Sequence, residues 1–372
     1  MKNDNTIEPS TQYIFGLDGL RALAVGLVVL SHLGLNNILP GGFGVTLFFF
    51  ISGFLITRLM IAEYTLTNSV SIKKFYVRRI LRLYPTLLIA ILGIFIIQLI
   101  ANCYIEVTSF LSALFYFANY YHIYFDSVHN IPCEHFFDVF WSLSVEEHFY
   151  LFYPVLFSLF YRRKKAFVIL LIIICIIVLF WRTFISLRYG IGEFVETRTY
   201  HGTDTRIDSI IFGCLSSVIL NVDRKNRMLK IIEHRMVVFI ALGALLCSFL
   251  LFSIFKISLF RTTVSYSIQG LSLFVLIPNI LFSKKTASLR NFLNASIFSY
   301  IGKLSYGIYL YHWVCLQATT IYYKQYSLCW YVVAILATTI TSICSYEFIE
   351  KKISKLRKQF GSNVKDGGVI KT

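Results

Sequence analysis

The stretch GLDGLRALAVGLVVLSHLG, residues 16–34, decides the fold class, because it is a long apolar run with few charges. A membrane-spanning helix needs about 20 mostly apolar residues, and comparable runs recur along the whole chain. The sequence therefore predicts an all-α fold, a polytopic transmembrane helical bundle of about ten spans. The candidate spans are 16–36, 43–62, 83–101, 143–161, 166–186, 207–222, 236–255, 263–282, 297–320 and 329–349.

The composition excludes a soluble protein. Of the 372 residues, 57% are hydrophobic and 15% are charged, and the mean hydropathy is +0.68, whereas soluble domains carry about 25% charged residues. The net charge of +16 would suggest a nucleic-acid partner, but Lys and Arg lie in short runs between apolar segments. Such runs orient membrane helices, so we predict membrane lipids as partners and no nucleic acid.

The basic loops predict how the spans are oriented. By the positive-inside rule, loops rich in Lys and Arg lie in the cytoplasm. Ten spans place every basic loop on that side, together with both termini, which predicts a multi-pass protein of the inner (plasma) membrane. These loops are 63–82, 162–165, 223–235 and 284–290, followed by the basic segment from Lys351.

The stretch 102–142 contains no Lys or Arg, which predicts that it lies outside the cell. The spans on either side can both end outside only if the apolar stretch 110–125 does not cross. Whether this stretch is re-entrant or interfacial is left open. The predicted parts of the chain are a cytoplasmic N-terminal tail at 1–15, a transmembrane domain at 16–350 and a basic, disordered cytoplasmic tail at 351–372.

Cysteine and histidine usage predicts no metal site. The eight cysteines include no C-x-x-C pair, most lie in apolar runs, and the histidines are scattered. Cys103 and Cys133 both fall in the predicted outer stretch, so the sequence allows a disulfide between them.

Two polar residues inside the first span, Arg21 and His32, are the first candidate site residues, because intramembrane charge is costly and often marks a site. They are eleven residues apart, which places them on one face of a helix and roughly 16 Å apart along its axis. They could line one passage through the bundle. The alternative is that Arg21 pairs with Asp18 and that His32 is a hydrogen-bonded core histidine.

Charged pairs in two other segments are further candidates. Arg79 and Arg82 share one helical face, where paired guanidinium groups suit a phosphate-bearing ligand, although an ordinary topogenic cluster explains them too. Glu146 and Glu147 lie near the start of a span. They could orient a histidine on a neighbouring helix, or they could be a solvated helix N-terminus.

Other candidate pocket residues have simpler explanations beside them. Glycines in the second span have no side chain and so allow close approach of a helix or a ligand. Ordinary helix packing explains these glycines equally well. Arg206 and Asp208 lie at the head of one late span. Polar residues lie within a second late span, and interfacial belts explain much of that second group. These candidates are Gly42, Gly44, Gly53, Arg206, Asp208, Tyr306 and His312.

Taken in order, six segments resemble the membrane-bound acyltransferase-3 family, which includes bacterial O-antigen and exopolysaccharide O-acetylases. The resemblance runs from Leu17 to about Glu350. The segments are LDGLRALAV…SH, GGFGVTLFFFISGFLI, FYVRRILRLYP, WSLSVEEHFYL, RIDSIIFG and LSYGIYLYHW.

The resemblance implies transfer of an acyl group, usually acetyl, from cytoplasmic acyl-CoA to a hydroxyl of a cell-surface carbohydrate, which can be lipid-linked. The family's arginine and histidine of the first span fall on Arg21 and His32. Its R-x-x-R pattern falls on Arg79 and Arg82, which implies a donor site to which we also assign Asp18. No cofactor is expected to be bound permanently. Some relatives carry an outer esterase-like domain after the membrane unit, and this chain is expected to lack one.

A chemical hypothesis follows from these residues. An alcohol is a poor nucleophile at neutral pH, and a histidine titrates in the range that a general base needs. We assign that role to His32, with Glu147 or Glu146 as the orienting carboxylate. Direct transfer and an acyl-histidine intermediate both remain open. The alternatives to an O-acyltransferase are a transporter or flippase of a lipid-linked sugar, an N-acyltransferase on an amino sugar, and a purely structural membrane protein.

Overall fold

A computed structural model describes residues 13–36, 38–125, 134–223, 227–251 and 258–360. Within these ranges the chain forms helices and short connections, without a β-strand, which confirms the predicted all-α class. The helices are α1 (Leu17–Leu30), α2 (Gly41–Thr67), α3 (Ile72–Ile100), α4 (Val107–Leu114), α5 (Ala118–Tyr124), α6 (Phe140–Phe160), α7 (Lys164–Tyr189), α8 (Glu193–His201), α9 (Thr203–Val222), α10 (Arg227–Ile232), α11 (Arg235–Phe249), α12 (Ser258–Thr262), α13 (Ser265–Phe282), α14 (Ala287–Leu293), α15 (Ser296–Tyr322), α16 (Leu328–Ser345) and α17 (Lys351–Gln359). Two π-helical turns, Ser31–Leu35 and Tyr346–Glu350, continue α1 and α16.

The long helices coincide with the predicted spans. In the part of the chain that the structure describes, seven helical segments are long and apolar enough to cross a membrane, so the chain is a multi-pass membrane protein. They contain α1, α2, α3, α7, α9, α13 and α16. The three other predicted spans fall on α6, α11 and α15, and a total of ten remains a prediction.

The stretch 110–125 lies in α4 and α5 and in the turn between them. These helices have eight and seven residues, and a span needs about 20. Neither helix is therefore long enough to cross a membrane, in agreement with the predicted behaviour of this stretch. A further short helix, α8, forms between the predicted spans 166–186 and 207–222.

The start of α1 and the start of α17 lie on the same side of the bundle. Helices α1 and α15 run parallel, since Asp18 packs on Gly302 near one end and His32 hydrogen-bonds to His312 near the other. The chain returns along α16, and Lys351 then lines the same cavity as Asp18. We call the side with Asp18 and Lys351 the basic end and the side with His32 and His312 the histidine end. The predicted topology makes the basic end cytoplasmic.

Backbone contacts between helices explain two of the candidate glycines. A Cβ on Gly53 would lie 2.0 Å from the carbonyl oxygen of Ile210 on α9. One on Gly44 would lie 2.6 Å from the carbonyl oxygen of Ala24 on α1. Real side chains do not tolerate such distances. Of the two explanations that the sequence left open, the structure thus favours close helix packing over ligand contact at both positions.

A buried ion pair joins α7, α9 and α13. Arg182 donates two hydrogen bonds to the carboxylate of Asp208, at 3.0 and 2.8 Å, and neither side chain is exposed. Ser267 on α13 also donates to Asp208, at 2.9 Å. Asp208 therefore links three helices. Of the structural and pocket roles that the sequence left open for it, these contacts favour the structural one.

The C-terminal segment starts differently from its prediction. The first nine residues of the predicted disordered tail form α17, which packs against α3, so disorder does not hold for them. Residues 361–372 lie outside the described residues. Cys103 is disulfide-bonded; Cys133, its partner in the sequence prediction, lies outside the described residues.

Candidate active site

An internal cavity lies among α1, α2, α3, α6 and α15, with about 670 Å³ of empty space. Its walls are mostly apolar, but five helices each send a polar side chain into it. These polar side chains include Arg21, Ser52, Arg79, Arg82, Glu146 and Tyr309. The sequence-predicted candidates Arg21, Arg79, Arg82, Glu146 and Tyr306 are therefore brought together around one space.

A second cavity, which we call the vestibule, lies at the basic end and has about 910 Å³ of empty space. Arg21 and Arg82 line both the vestibule and the internal cavity, so these two side chains stand at the boundary between them. The vestibule's other charged lining residues are Asp18, Lys303, Glu350 and Lys351. Four cationic and two carboxylate side chains give it a net positive lining.

Arg21 takes part in both arrangements that the sequence allowed. Its Nη1 atom lies 3.5 Å from Oδ1 of Asp18, one turn earlier on α1. The same side chain lines both cavities. The ion pair fixes the guanidinium group at the cavity boundary and leaves further donors free to meet a ligand, because guanidinium carries five N–H groups.

Arg79 and Arg82 differ in their surroundings although they lie one turn apart. The guanidinium group of Arg79 lies 4.6 Å from the ring centroid of Tyr150 and 5.5 Å from that of Phe75. Arg79 lines the internal cavity only, whereas Arg82 also faces the vestibule. Arg82 is therefore the member of the pair that a ligand entering from the basic end would meet first.

The two glutamates lie on the arginine side of the site. Glu146 accepts hydrogen bonds from Ser52 at 3.2 Å and from Tyr150 at 2.8 Å. The Oε1 atom of Glu147 is buried without a hydrogen-bond partner in the described parts of the chain, and Arg79 supplies compensating positive charge. Both carboxylates thus belong to the electrostatic environment of the arginine pair.

His32 has a different neighbour from the one expected. Its Nδ1 atom lies 2.9 Å from Nε2 of His312, and Trp313 packs at 4.8 Å between ring centroids. The structure places neither predicted carboxylate beside His32: Glu146 is held by Ser52 and Tyr150, Oε1 of Glu147 has no hydrogen-bond partner among the described residues, and His312 occupies the position next to Nδ1. The π-helical turn Ser31–Leu35 carries His32; such turns are frequent at functional sites.

The histidine pair lies next to the internal cavity and not on its wall. Tyr309 lines the cavity and shares a hydrogen bond of 2.7 Å with Ser142. Its ring centroid is 5.8 Å from that of His312. The expectation that Arg21 and His32 line one continuous passage is therefore met only in part, because the Tyr309 ring stands between the cavity and the pair.

Two of the remaining candidates form a separate aromatic cluster toward the histidine end. Arg206 is fully buried and lies 3.8 Å from the ring centroid of Tyr266, while its Nη2 atom donates to Thr46 at 3.0 Å. A Cβ on Gly42 would lie 3.0 Å from the hydroxyl oxygen of Tyr200, which also faces Arg206. The structure does not place this cluster in the internal cavity.

Some site residues escaped the sequence analysis. Tyr150 follows Glu146 by four residues, a helical spacing that could have predicted their contact. Ser52, Lys303 and Lys351 gave no comparable signal, because their roles depend on which helices pack together. Of the described residues, none form a cluster of three or more His, Cys, Asp or Glu that could hold a metal.

Comparison with known proteins agrees with the resemblance. The sequence model of the acyltransferase-3 family, described as an acyltransferase domain, matches residues 14–347. The chain is 31% identical over 362 residues to a protein named O-acetyltransferase OatA from Staphylococcus aureus (strain NCTC 8325 / PS 47), covering 93% of this chain and 58% of that relative. It is 33% identical over 363 residues to a putative O-acetyltransferase of strain COL, covering 92% and 58%.

The chain spans about 58% of the length of the curated relatives it matches. No solved structure matches it.

Proposed function

Since the chain belongs to the acyltransferase-3 family, we propose that it is a membrane O-acetyltransferase that moves an acetyl group from cytoplasmic acetyl-CoA to a hydroxyl of a cell-surface carbohydrate. Family membership supports acyltransferase activity, the enzyme class predicted from the sequence. The donor, the acceptor and the location in the inner (plasma) membrane are parts of the proposal.

One observation carries the proposal: the vestibule at the basic end and the internal cavity meet at Arg21 and Arg82. A donor with a charged head and a long, thin arm fits such an arrangement. Half of a hydrocarbon core is roughly 15 Å thick, which a pantetheine arm can cover. A transporter or flippase of a lipid-linked sugar would need no site for CoA.

The donor's charged end would lie in the vestibule. Lys303 and Lys351 line its outer part, and Arg21 and Arg82 line its inner boundary. Phosphate groups are bound well by guanidinium and ammonium groups, and acyl-CoA carries several. Arg82 would hold the phosphates closest to the arm. Arg79, which lies deeper against Tyr150, would keep the carboxylates of α6 in place.

In the proposed reaction, His32 acts as a general base on the acceptor hydroxyl. Nε2 of His32 takes the proton of the acceptor hydroxyl as the oxygen attacks the thioester carbonyl carbon. A carbon–oxygen bond forms, the carbon–sulfur bond breaks, and the proton passes to the leaving CoA thiolate. A thioester that approaches His32 from the internal cavity would pass Tyr309, since that ring lines the cavity and lies beside His312. Transfer through an acyl-histidine would use the same residues.

The acceptor is the least constrained part of the proposal. The two relatives are named as O-acetyltransferases, one of them putative. This favours a hydroxyl acceptor over the amine of an amino sugar. The histidine end lies outside the cell in the predicted topology, so the acceptor there would be a surface glycan or its lipid-linked precursor.

The experiment compares surface glycans by mass spectrometry from cells that carry the wild-type gene, the His32→Ala variant or no gene. We expect one acetyl unit on a glycan residue with the wild type only, at equal protein levels. Purified protein in nanodiscs should bind acetyl-CoA, which a flippase would not do. Normal acetylation with His32→Ala would remove His32 from the mechanism, and failure to bind acetyl-CoA would favour the transporter.

A further inference from the structure

We propose that His312 is a positioning residue, which holds His32 in the tautomer that carries its proton on Nδ1 and leaves Nε2 free as the base. The catalytic part of this inference rests on the proposed function. The tautomer itself does not, because it follows from hydrogen bonds that exist in the resting protein.

A hydrogen bond to a backbone carbonyl determines which nitrogen donates in the bond between His32 and His312. Nδ1 of His312 lies 3.0 Å from the carbonyl oxygen of Ile308, one turn earlier on α15. A carbonyl oxygen can only accept, so Nδ1 of His312 must carry a proton. In a neutral imidazole the other nitrogen is then an acceptor. Nε2 of His312 therefore accepts, and Nδ1 of His32, 2.9 Å away, must donate.

The two rings lie edge to edge in nearly one plane. The angle between them is 7°, and their centroids are 5.2 Å apart. Rings stacked face to face stay a van der Waals contact apart, so atoms 2.9 Å apart cannot belong to such a stack. The shared plane points the Nδ1 proton of His32 at the lone pair of His312, which is the geometry of a strong hydrogen bond.

The surroundings hold this geometry in place. His312 is 1% exposed and lies within the regular helix α15. Trp313 packs against the His32 ring at 4.8 Å, and its indole nitrogen is itself anchored by a hydrogen bond of 2.5 Å to the carbonyl oxygen of His135. The His32 ring is thus restrained by a hydrogen bond on one edge and by an aromatic contact beside it.

Nε2 of His32 is the nitrogen left for chemistry. It has no hydrogen-bond partner among the described residues. When it accepts a proton from the acceptor hydroxyl, Nδ1 keeps its own proton and its bond to His312, so the ring need not turn during the reaction. A carboxylate in this position would also stabilise the imidazolium by its charge. The neutral His312 supplies orientation and less charge stabilisation.

The tautomer can be measured without any activity. Protein with 15N-labelled histidine in nanodiscs gives long-range proton–nitrogen NMR spectra, in which protonated and unprotonated ring nitrogens differ widely in shift. The His32 signals are those lost in His32→Gln. We expect a protonated Nδ1 and an unprotonated Nε2 for His32. The opposite tautomer in the wild type would overturn the inference, whatever reaction the protein catalyses.

Kinetics test the consequence. His312→Leu removes the acceptor, whereas His312→Gln keeps an oxygen near the position of Nε2. We expect His312→Leu to lower kcat by roughly 10–100-fold with an unchanged KM for acetyl-CoA, and His312→Gln to restore most of the loss. The exposed His234→Gln serves as the matched control and should behave as wild type.

The outcomes separate this inference from the proposed function. Wild-type kcat in His312→Leu would overturn the positioning role while leaving acetyl transfer intact. Equal losses in the Leu and Gln variants, with both folded by size-exclusion chromatography and thermal melting, would also overturn it, because the acceptor atom would then not matter. If the wild type transfers no acetyl group, the proposed function fails and the NMR result still decides the tautomer.

Discussion

The guanidinium group of Arg79 lies 4.6 Å from the ring centroid of Tyr150, and the hydroxyl of that ring donates to Glu146 at 2.8 Å. One tyrosine therefore connects a cation and an anion that make no direct ion pair with each other. Cation–π contacts gain strength when water is excluded, as in this cavity wall. The three side chains act as a unit that sets the charge balance of the cavity, and Arg82 remains outside it.

This difference predicts separate effects for the two arginines. Arg82→Gln removes a cation at the boundary of the vestibule, and charge-assisted hydrogen bonds contribute about 1.5–3 kcal/mol. We expect the KM for acetyl-CoA to rise by about 10–100-fold with little loss of thermal stability. Arg79→Gln should instead lower the melting temperature, because it removes a cation that compensates the charge of Glu146 and Glu147 in the bundle. Both effects are measured on purified protein in detergent or nanodiscs.

The contrast between the two variants decides that prediction. Equal increases in KM with equal melting temperatures would show that the arginines act together on the donor, as their shared helical face suggested. A lower melting temperature in Arg82→Gln but not in Arg79→Gln would show that Arg82, and not Arg79, stabilises the fold.

Two glycines provide a second prediction with a built-in control. A Cβ on Gly53 would lie 2.0 Å from the backbone of α9, whereas one on Gly93 meets nothing within 4 Å. Overpacking of this kind costs about 1–3 kcal/mol or more. Gly53→Ala should therefore lower the melting temperature and the yield of folded protein, and Gly93→Ala should preserve both. Similar melting curves for the two variants would contradict the backbone-to-backbone packing of α2 on α9.

Features that depend on one segment could be predicted from the sequence, and contacts between distant segments could not. Apolar length located the spans, and helical spacing led to the pairing of Asp18 with Arg21. The pairing of His32 with His312 joins residues 280 positions apart and depends on the parallel packing of α1 and α15. The sequence alone therefore suggests a carboxylate as the partner of His32, whereas the structure places His312 there.

Arg182 shows a related limit. It is the lone charge near the end of an apolar run, where snorkelling toward the interface is the ordinary expectation. Its place in the structure depends on Asp208, which the sequence marks as a candidate without indicating Arg182 as its partner. A charge in an apolar segment indicates that a partner exists, but identifying the partner requires the arrangement of helices.

That ion pair yields a third prediction. Asp208→Asn would leave the buried guanidinium of Arg182 without its counter-charge, and breaking one side of a buried pair costs about 3–5 kcal/mol. We expect a lower melting temperature with no selective change in the KM for acetyl-CoA in the surviving folded protein. Replacing both partners, as Arg182→Met with Asp208→Leu, should recover part of the stability, because no uncompensated charge remains. A double variant less stable than Asp208→Asn would contradict this account.

The vestibule gives the sharpest test of the donor route. Lys303 lines only the vestibule and not the internal cavity, so it can meet the nucleotide end of acetyl-CoA but not the thioester. An exposed cation such as Lys303 contributes modestly because water and salt screen it, and we expect Lys303→Gln to raise the KM for acetyl-CoA by about 3–10-fold at low salt. The same variant should leave the KM for S-acetyl-phosphopantetheine, which lacks the adenosine phosphates, unchanged. Lys284→Gln, at an exposed position outside the vestibule, is the control and should change neither value. Equal increases for both donors would place Lys303 near the pantetheine arm, and no increase for either would remove the vestibule from the donor route.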